Sequence, residues 1–210
     1  MSDHGATDAG GDVARIGPNA ILQLIPVLDD VLGRAGRDAL FAAADVPVPG
    51  PDSGMLPQDQ IARLHVQVRR DHPAQAPEMM RRAGLATGDY ILANRIPGFA
   101  QTIIKLLPPA LGARVLSAAI AKHSWTFAGS GVFTIVARAP LTFSIAANPV
   151  VALDRAAAPI CDWHAAVFEC LFTTLVWRQG VEVTETACCA AGAPACIFEL
   201  RPRAATRPQG

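Results

Sequence analysis

The sequence predicts an α+β domain: an antiparallel sheet of about four strands with a helical layer on one face. Three observations predict it. Apolar residues recur with a period near 3.6 up to about residue 122. The period falls to 2 after Gly129-Ser130-Gly131, and one very apolar helix over residues 160–177 separates two pairs of strands. With 210 residues, 51% of them hydrophobic and 17% charged, the chain supports a single domain with a core of ordinary size.

Residues 1–15 are small and polar and read as a disordered lead, and the domain proper spans 16–200, with a helical half over 16–128 and a sheet half over 129–200. Pro18 suits a first helical turn, and Ile21, Leu24, Ile25, Leu28 and Leu32 make one apolar stripe that Gly33 stops. A short helix follows over 37–44, and then a stiff Pro-rich loop, Val46-Pro47-Val48-Pro49-Gly50-Pro51. Helices are expected over 58–71 and 77–94, and again over 100–107 and 111–122, where the prolines between them break the pattern. Strands are expected over 132–138 and 141–147, where Leu141, Phe143 and Ile145 alternate with polar residues, and over 181–187 and 196–200. In the helix between them, Asp162, Glu169 and Thr173 share one side. The tail, 201–210, is basic, Pro-rich and expected to be loose.

Charge narrows the function. Eighteen Lys and Arg balance eighteen Asp and Glu, which argues against a nucleic-acid partner. The start has no basic segment followed by an apolar one, so the expected compartment is the cytoplasm. The longest apolar-leaning stretch, 103–121, holds Lys105, Arg114 and Pro108-Pro109, which leaves room for a peripheral membrane contact at most. The stripe of Ile21, Leu24 and Leu28 and the stretch Ile103 to Leu107 together predict a homodimer through the helices.

All five cysteines lie after residue 160, and in a reducing compartment clustered cysteines point to a metal or redox site. Cys161 opens the buried helix, Glu185 and Cys188 close one strand, and Cys196 opens the next. A hairpin with the helix packed on it can gather these four, and three thiolates with a carboxylate make a closed tetrahedral set for structural zinc. Glu185 and Cys188 have opposite parity on an ideal strand, so a bulge or turn must come before Cys188. Cys189 has the right parity and is the rival ligand. Buried cysteines that only fill space are the plain alternative, and Cys170 is read as core.

Aromatics are 6% of the chain, yet Trp125, Phe127, Phe133 and Phe143 crowd the junction of helices and sheet, beside His123. A histidine among aromatics can bind a planar ring or ligate its central metal, and His164 beside Trp163 is a second candidate. The alternative is that these residues form core. No G-x-G-x-x-G follows a strand, there is no P-loop or C-x-x-C, and no NAD or flavin site is visible.

Cys161 on an apolar helix, a strand with Glu185-x-x-Cys188, and Gly192-x-x-x-Cys196-x-Phe198-x-Leu200 resemble the 4-vinyl reductase domain family, distantly related to vesicle-tethering TRAPP subunits. The resemblance implies an α+β fold, dimerisation and an apolar ligand pocket. Sensor domains of the family carry a Cys, Glu, Cys, Cys zinc site, which implies zinc on Cys161, Glu185, Cys188 and Cys196. Nearly the whole chain, including Gly17-Pro18-Asn19-Ala20 and Ile96-Pro97, resembles the bacteriochlorophyll branch of that family. The implied ligand is a Mg-tetrapyrrole with a C8 vinyl group, of the divinyl protochlorophyllide class. Its expected place is between helices and sheet, near His123, Trp125, Phe127, Phe133 and Phe143, with Arg95, Lys105 or Lys122 as carboxylate anchor. Other enzymes of bacteriochlorophyll biosynthesis would be its partners. The chemistry favours a carrier or accessory factor for this precursor. The alternatives are the vinyl reductase itself, using an external reductant, and a protein-interaction module.

Overall fold

The computed structural model describes residues 14–204. The expected lead lies outside the described residues as far as residue 13, and the expected tail does so from residue 205. Arg15 and Ile16 are instead the short strand β1 (Arg15–Ile16), paired with β2 (Leu56–Pro57). A two-residue bridge has no period for the sequence to display.

The helical half is α1 (Asn19–Leu22), α2 (Ile25–Ala43), α3 (Gln58–Asp71), α4 (Ala76–Asn94), α5 (Gly98–Leu106), α6 (Pro109–Lys122) and α7 (Trp125–Ala128). Prolines occupy the first turn of α2, α4 and α6, where the missing N–H costs nothing. Gly33 stands inside α2 at φ 71° and ψ 165°, so the helix before it ends there and a second arm carries on to Ala43. Only glycine enters that conformation without strain. The short α7 has no apolar period of its own and was not foreseen.

Ile21, Leu24 and Leu28 are fully buried within the protomer, where α1 and α2 pack on α3 and α4. That corrects the expected dimer surface: the stripe is amphipathic because it faces this chain's own core. In the second stretch Ile104 is buried, whereas Ile103 and Leu106 face outward.

The sheet half is β3 (Val132–Arg138), β4 (Leu141–Ala146), α8 (Asp162–Leu175), β5 (Val181–Ala187) and β6 (Ala195–Pro202). All neighbours are antiparallel in the order β3-β4-β6-β5. β6 runs to Pro202, past the expected domain end at 200, because Val181 pairs with Pro202. Helix α8 lies on one face of the sheet. Its Phe168 sits 5.1 Å from Phe143 and 5.4 Å from Phe198 between ring centroids, and Phe172 sits 5.8 Å from Phe143. These four rings are buried, each contributing roughly 2–3 kcal/mol by area. Helix α4 covers the other side of α8 at very close range. A Cβ on Gly84 would strike the Trp163 carbonyl oxygen and come within 2.7 Å of Ala166 Cβ, and one on Gly88 would lie 2.5 Å from Cys170 Cβ. Arg81 locks the pair by a two-pronged contact with Glu169, at 2.5 and 3.0 Å.

Candidate functional site

One corner of the sheet gathers four potential metal ligands. Cys161 is the residue that caps the N-terminus of α8. β5 carries a bulge: Glu185 pairs with Phe198 but Ala187 with Ile197, so one residue is extra. That bulge meets the parity problem read from the sequence. Cys188 then enters a single tight turn, Cys189–Ala191, closed by Gly192 in the left-handed region at φ 88°. Cys196 follows on β6, directly across the hairpin.

Ligand atoms of Cys161, Glu185, Cys188 and Cys196 all lie within 4.8 Å of one another. The sulfurs of Cys161 and Cys196 are 3.5 Å apart, and those of Cys196 and Cys188 are 3.8 Å apart. Tetrahedral zinc with bonds of about 2.3 Å to sulfur has edges of about 3.8 Å. The three cysteines are at most 2% exposed. The Cys161 N–H donates to Glu185 Oε2 at 2.7 Å, while Glu185 Oε1 is buried with no hydrogen-bond partner. A buried carboxylate oxygen left this way costs stability unless something accepts its lone pair, and a cation does so.

The electrostatics fit the same donor set. Burial, with the nearby Cys188 adding to it, pushes the Glu185 carboxyl up to about 7. The neighbouring thiols of Cys161 and Cys196 hold Cys188 well below the usual thiol range. Hydrogen bonding to Cys188 and Cys196, then burial, pushes Cys161 up. Cys161 favours the thiolate of Cys196, but the bond to Cys188 and burial together outweigh it, and that thiol is raised too. The corner thus holds one anionic sulfur readily and the others reluctantly, and a divalent ion is the group that deprotonates the rest.

Cys189 faces elsewhere. Its sulfur points to the Ile145 carbonyl at 3.8 Å, and only its backbone N–H reaches the site, donating to Cys196 Sγ at 3.4 Å. Cys170 packs against Gly88, and burial pushes its thiol up to about 12. Asn148 was missed. Its buried amide nitrogen lies 3.4 Å from the sulfurs of both Cys161 and Cys196, and its Oδ1 accepts from Val150 N at 3.1 Å. The only sequence signal was Asn148-Pro149 after a strand, which marks a turn and says nothing of sulfur. A buried pair, Arg69 with Asp154 at 2.6 Å, clamps the loop into Cys161, and Arg69 also donates to the Ile160 carbonyl at 3.3 Å.

The five expected ligand-pocket residues do not line one cavity. Phe133 and Phe143 are buried 5.1 Å apart, and half-buried Phe127 stands edge-on to Phe133 at 5.4 Å. These rings join Phe168 and His164 in a packed aromatic cluster. His123 and Trp125 stand at its exposed rim, Trp125 being 56% exposed. His123 Nδ1 lies 2.9 Å from the Ala119 carbonyl. A carbonyl only accepts, so Nδ1 carries the proton and Nε2 keeps its lone pair toward solvent. His164 is fully enclosed, and neither ring nitrogen reaches hydrogen-bond geometry. Burial lowers it to about 3, against a slight opposing pull from the Phe127 backbone, so the ring is neutral. Two open grooves flank this region among the described residues. One, of about 540 Å³, runs along Arg95 to Gln101, and the other, of about 640 Å³, lies between α6 and the sheet beside Trp177, Arg114 and Arg138.

The corner and the strands around it have relatives. A family model for the vinyl-4-reductase domain matches residues 141–202, which hold all four corner residues. The whole fold is shared with H-NOX proteins. The Fe(II) unliganded H-NOX protein from K. algicida matches at TM-score 0.60 over 92% of this chain and 100% of its own, with 10% identity. A structure from work on heme distortion in the H-NOX family matches at TM-score 0.50 over 92% of this chain and 100% of its own, with 11% identity. The class is therefore a protein with a vinyl-4-reductase domain on an H-NOX-like α+β fold. Over 205 residues the chain is 60% identical to the bacteriochlorophyll synthase 23 kDa chain of Cereibacter sphaeroides, covering 97% of this chain and 99% of that one. It is 56% identical over 192 residues to the protein of the same name from Rhodobacter capsulatus, covering 91% and 89%. The chain belongs to the family of these 23 kDa chains. Neither relative is named a vinyl reductase, so the resemblance read from the sequence holds for the domain and for bacteriochlorophyll, and the reductase activity does not carry over with the domain's name.

Proposed function

We propose that this chain serves bacteriochlorophyll biosynthesis as a carrier or accessory factor that binds a Mg-tetrapyrrole precursor of the divinyl protochlorophyllide class. The observation that carries this reading is near-full-length identity to two bacteriochlorophyll synthase chains. A synthase chain implies partner enzymes of the same pathway. The fold supports the ligand class, since a heme is the subject of one H-NOX structure that shares it.

The binding place we infer is the rim of the aromatic cluster. The macrocycle lies against exposed Trp125 with Phe127 beneath, and Phe133 and Phe143 support it from the core. His123 Nε2 faces the magnesium directly or through a water, since Mg²⁺ prefers oxygen. Lys122, adjacent and exposed, is the nearest in sequence of the three expected carboxylate anchors. Titration with divinyl protochlorophyllide, read by the Soret shift, tests this. His123→Ala and Trp125→Ala should each weaken binding about tenfold, or about 1.4 kcal/mol, with the fold intact. Unchanged affinity in both variants would overturn the placement.

The corner set is proposed as a structural zinc site on Cys161, Glu185, Cys188 and Cys196. Four protein ligands leave no position for a reactive water. Zinc there ties the start of α8 to the β5–β6 hairpin. Metal analysis of freshly purified protein is expected to give about one zinc per chain, and a value under about one half would sink the assignment.

A further inference from the structure

We propose that the outer face of the α5–α6 hairpin docks the protein onto an anionic lipid bilayer, lying in the headgroup layer. Two independent segregations carry this. The first is apolar. Of the ten large apolar side chains left exposed among the described residues, nine fall between Phe99 and Leu153. On α5 they are Phe99, Ile103 and Leu106, at 72%, 55% and 78% exposure, spaced i, i+4, i+7 along a single stripe, while Ile104 turns inward. On α6 Leu111 and Val115 make the matching stripe.

The second is charge. Residues 90–153 contain no Asp or Glu at all, so all eighteen Asp and Glu of the chain lie elsewhere. The same stretch holds Arg95, Lys105, Arg114, Lys122 and Arg138. None of these five is in an ion pair among the described residues, whereas Arg37, Arg63, Arg69, Arg81, Arg82, Arg201 and Arg203 all are. Lys105, Arg114 and Lys122 are exposed on the same two helices as the apolar stripes. Large apolar side chains flanked by lone cations are the composition of an interfacial helix on acidic lipid. The nine residues of α5 and fourteen of α6 span about 14 and 21 Å at 1.5 Å per residue, short of a hydrocarbon core of about 30 Å. No helix among the described residues is long and apolar enough to cross a membrane.

Charge also decides against a second copy as occupant. A two-fold contact through this face sets five cations against the same five, with no carboxylate on either side to offset them. An anionic bilayer neutralises them all at once.

The test is flotation of the purified chain, without pigment, with vesicles of phosphatidylcholine alone or mixed with phosphatidylglycerol, at low and high salt. The chain should float with the phosphatidylglycerol vesicles, stay down with neutral ones, and be released by salt. Lys105→Ala with Arg114→Ala should lower partitioning about 25-fold, at about fivefold per cation. Ile103→Ser with Leu106→Ser should abolish it at low salt without shifting the melting temperature. Absence of flotation with acidic vesicles, or equal flotation with neutral ones, overturns the proposal. So does light scattering that shows a dimer which Ile103→Ser with Leu106→Ser converts to monomer, because the face then belongs to a second copy. Pigment is absent throughout, so the pigment-binding reading stands or falls separately.

Discussion

The cysteine corner and the α5–α6 face are opposites. The corner concentrates acid and thiol in a dry pocket whose every sulfur is within hydrogen-bond range of another group. The α5–α6 face has no acid, bears lone cations and leaves its largest apolar side chains in water. Both are unsatisfied in the chain by itself, but for different reasons. The corner lacks a positive charge at one point, and the face lacks an extended apolar and anionic surface. An internal ion completes the first and stabilises the fold. Only an external partner completes the second, and the fold is indifferent to it.

Changes at the corner should therefore dominate stability. Cys188→Ser removes the sulfur held most anionic and should release the metal, lowering the melting temperature by about 10 °C, as expected for about 4 kcal/mol in a domain of this size. A melting curve that overlays the parent would break the contrast. Acid should act almost as strongly. His65 and His164 are buried and neutral, both lowered to about 3, by burial first and then, for His65, by Arg69. In the unfolded chain both titrate near 6.5, so the stability they contribute is complete above about 6.5 and is lost as pH falls from there toward 3. Between pH 7 and pH 5 the urea midpoint should drop by the equivalent of about 2 kcal/mol per histidine. A flat profile would count against both assignments.

Next comes the support under the corner. Gly88→Ala forces a Cβ onto Cys170 between α4 and α8 and should cost about 2 kcal/mol, seen as a fall of about 6 °C in thermal melts. The smallest effect belongs to the other region. Leu106→Ser should change stability by less than about 0.5 kcal/mol, measured by urea unfolding. A loss as large as that of Gly88→Ala would mean the face is core after all.

Much of this was legible in the sequence, and what was not has identifiable causes. The helix over 58–71 and the strands over 132–138 and 181–187 have the boundaries their periodicity marks, because each presents one apolar face to one core. The spacing of Cys161, Glu185, Cys188 and Cys196 could be folded into a hairpin capped by a helix from the order of residues alone. Asn148 could not, since an amide that bridges two sulfurs acts through space and leaves no period. Nor could the fate of Ile21, Leu24 and Leu28, because a stripe shows that a helix buries one side and never whose surface it meets. The aromatics near residue 130 read equally as pocket or as core. Phe133 and Phe143 pack as core, while Trp125 stays at the rim.

The bulge that aims Cys188 has a second consequence. It sits on β5, which is one edge of the sheet, and the opposite edge strand, β3, is bulged too, between Ile135 and Ala137. A bulge breaks the even row of N–H and C=O groups that another strand would need for pairing. Neither rim of the sheet is a flat template for a neighbouring molecule, even though Val132 and Val136 are exposed along β3. The sheet is guarded against runaway stacking into fibrils at both ends, and at one of them by the same irregularity that completes the cysteine corner.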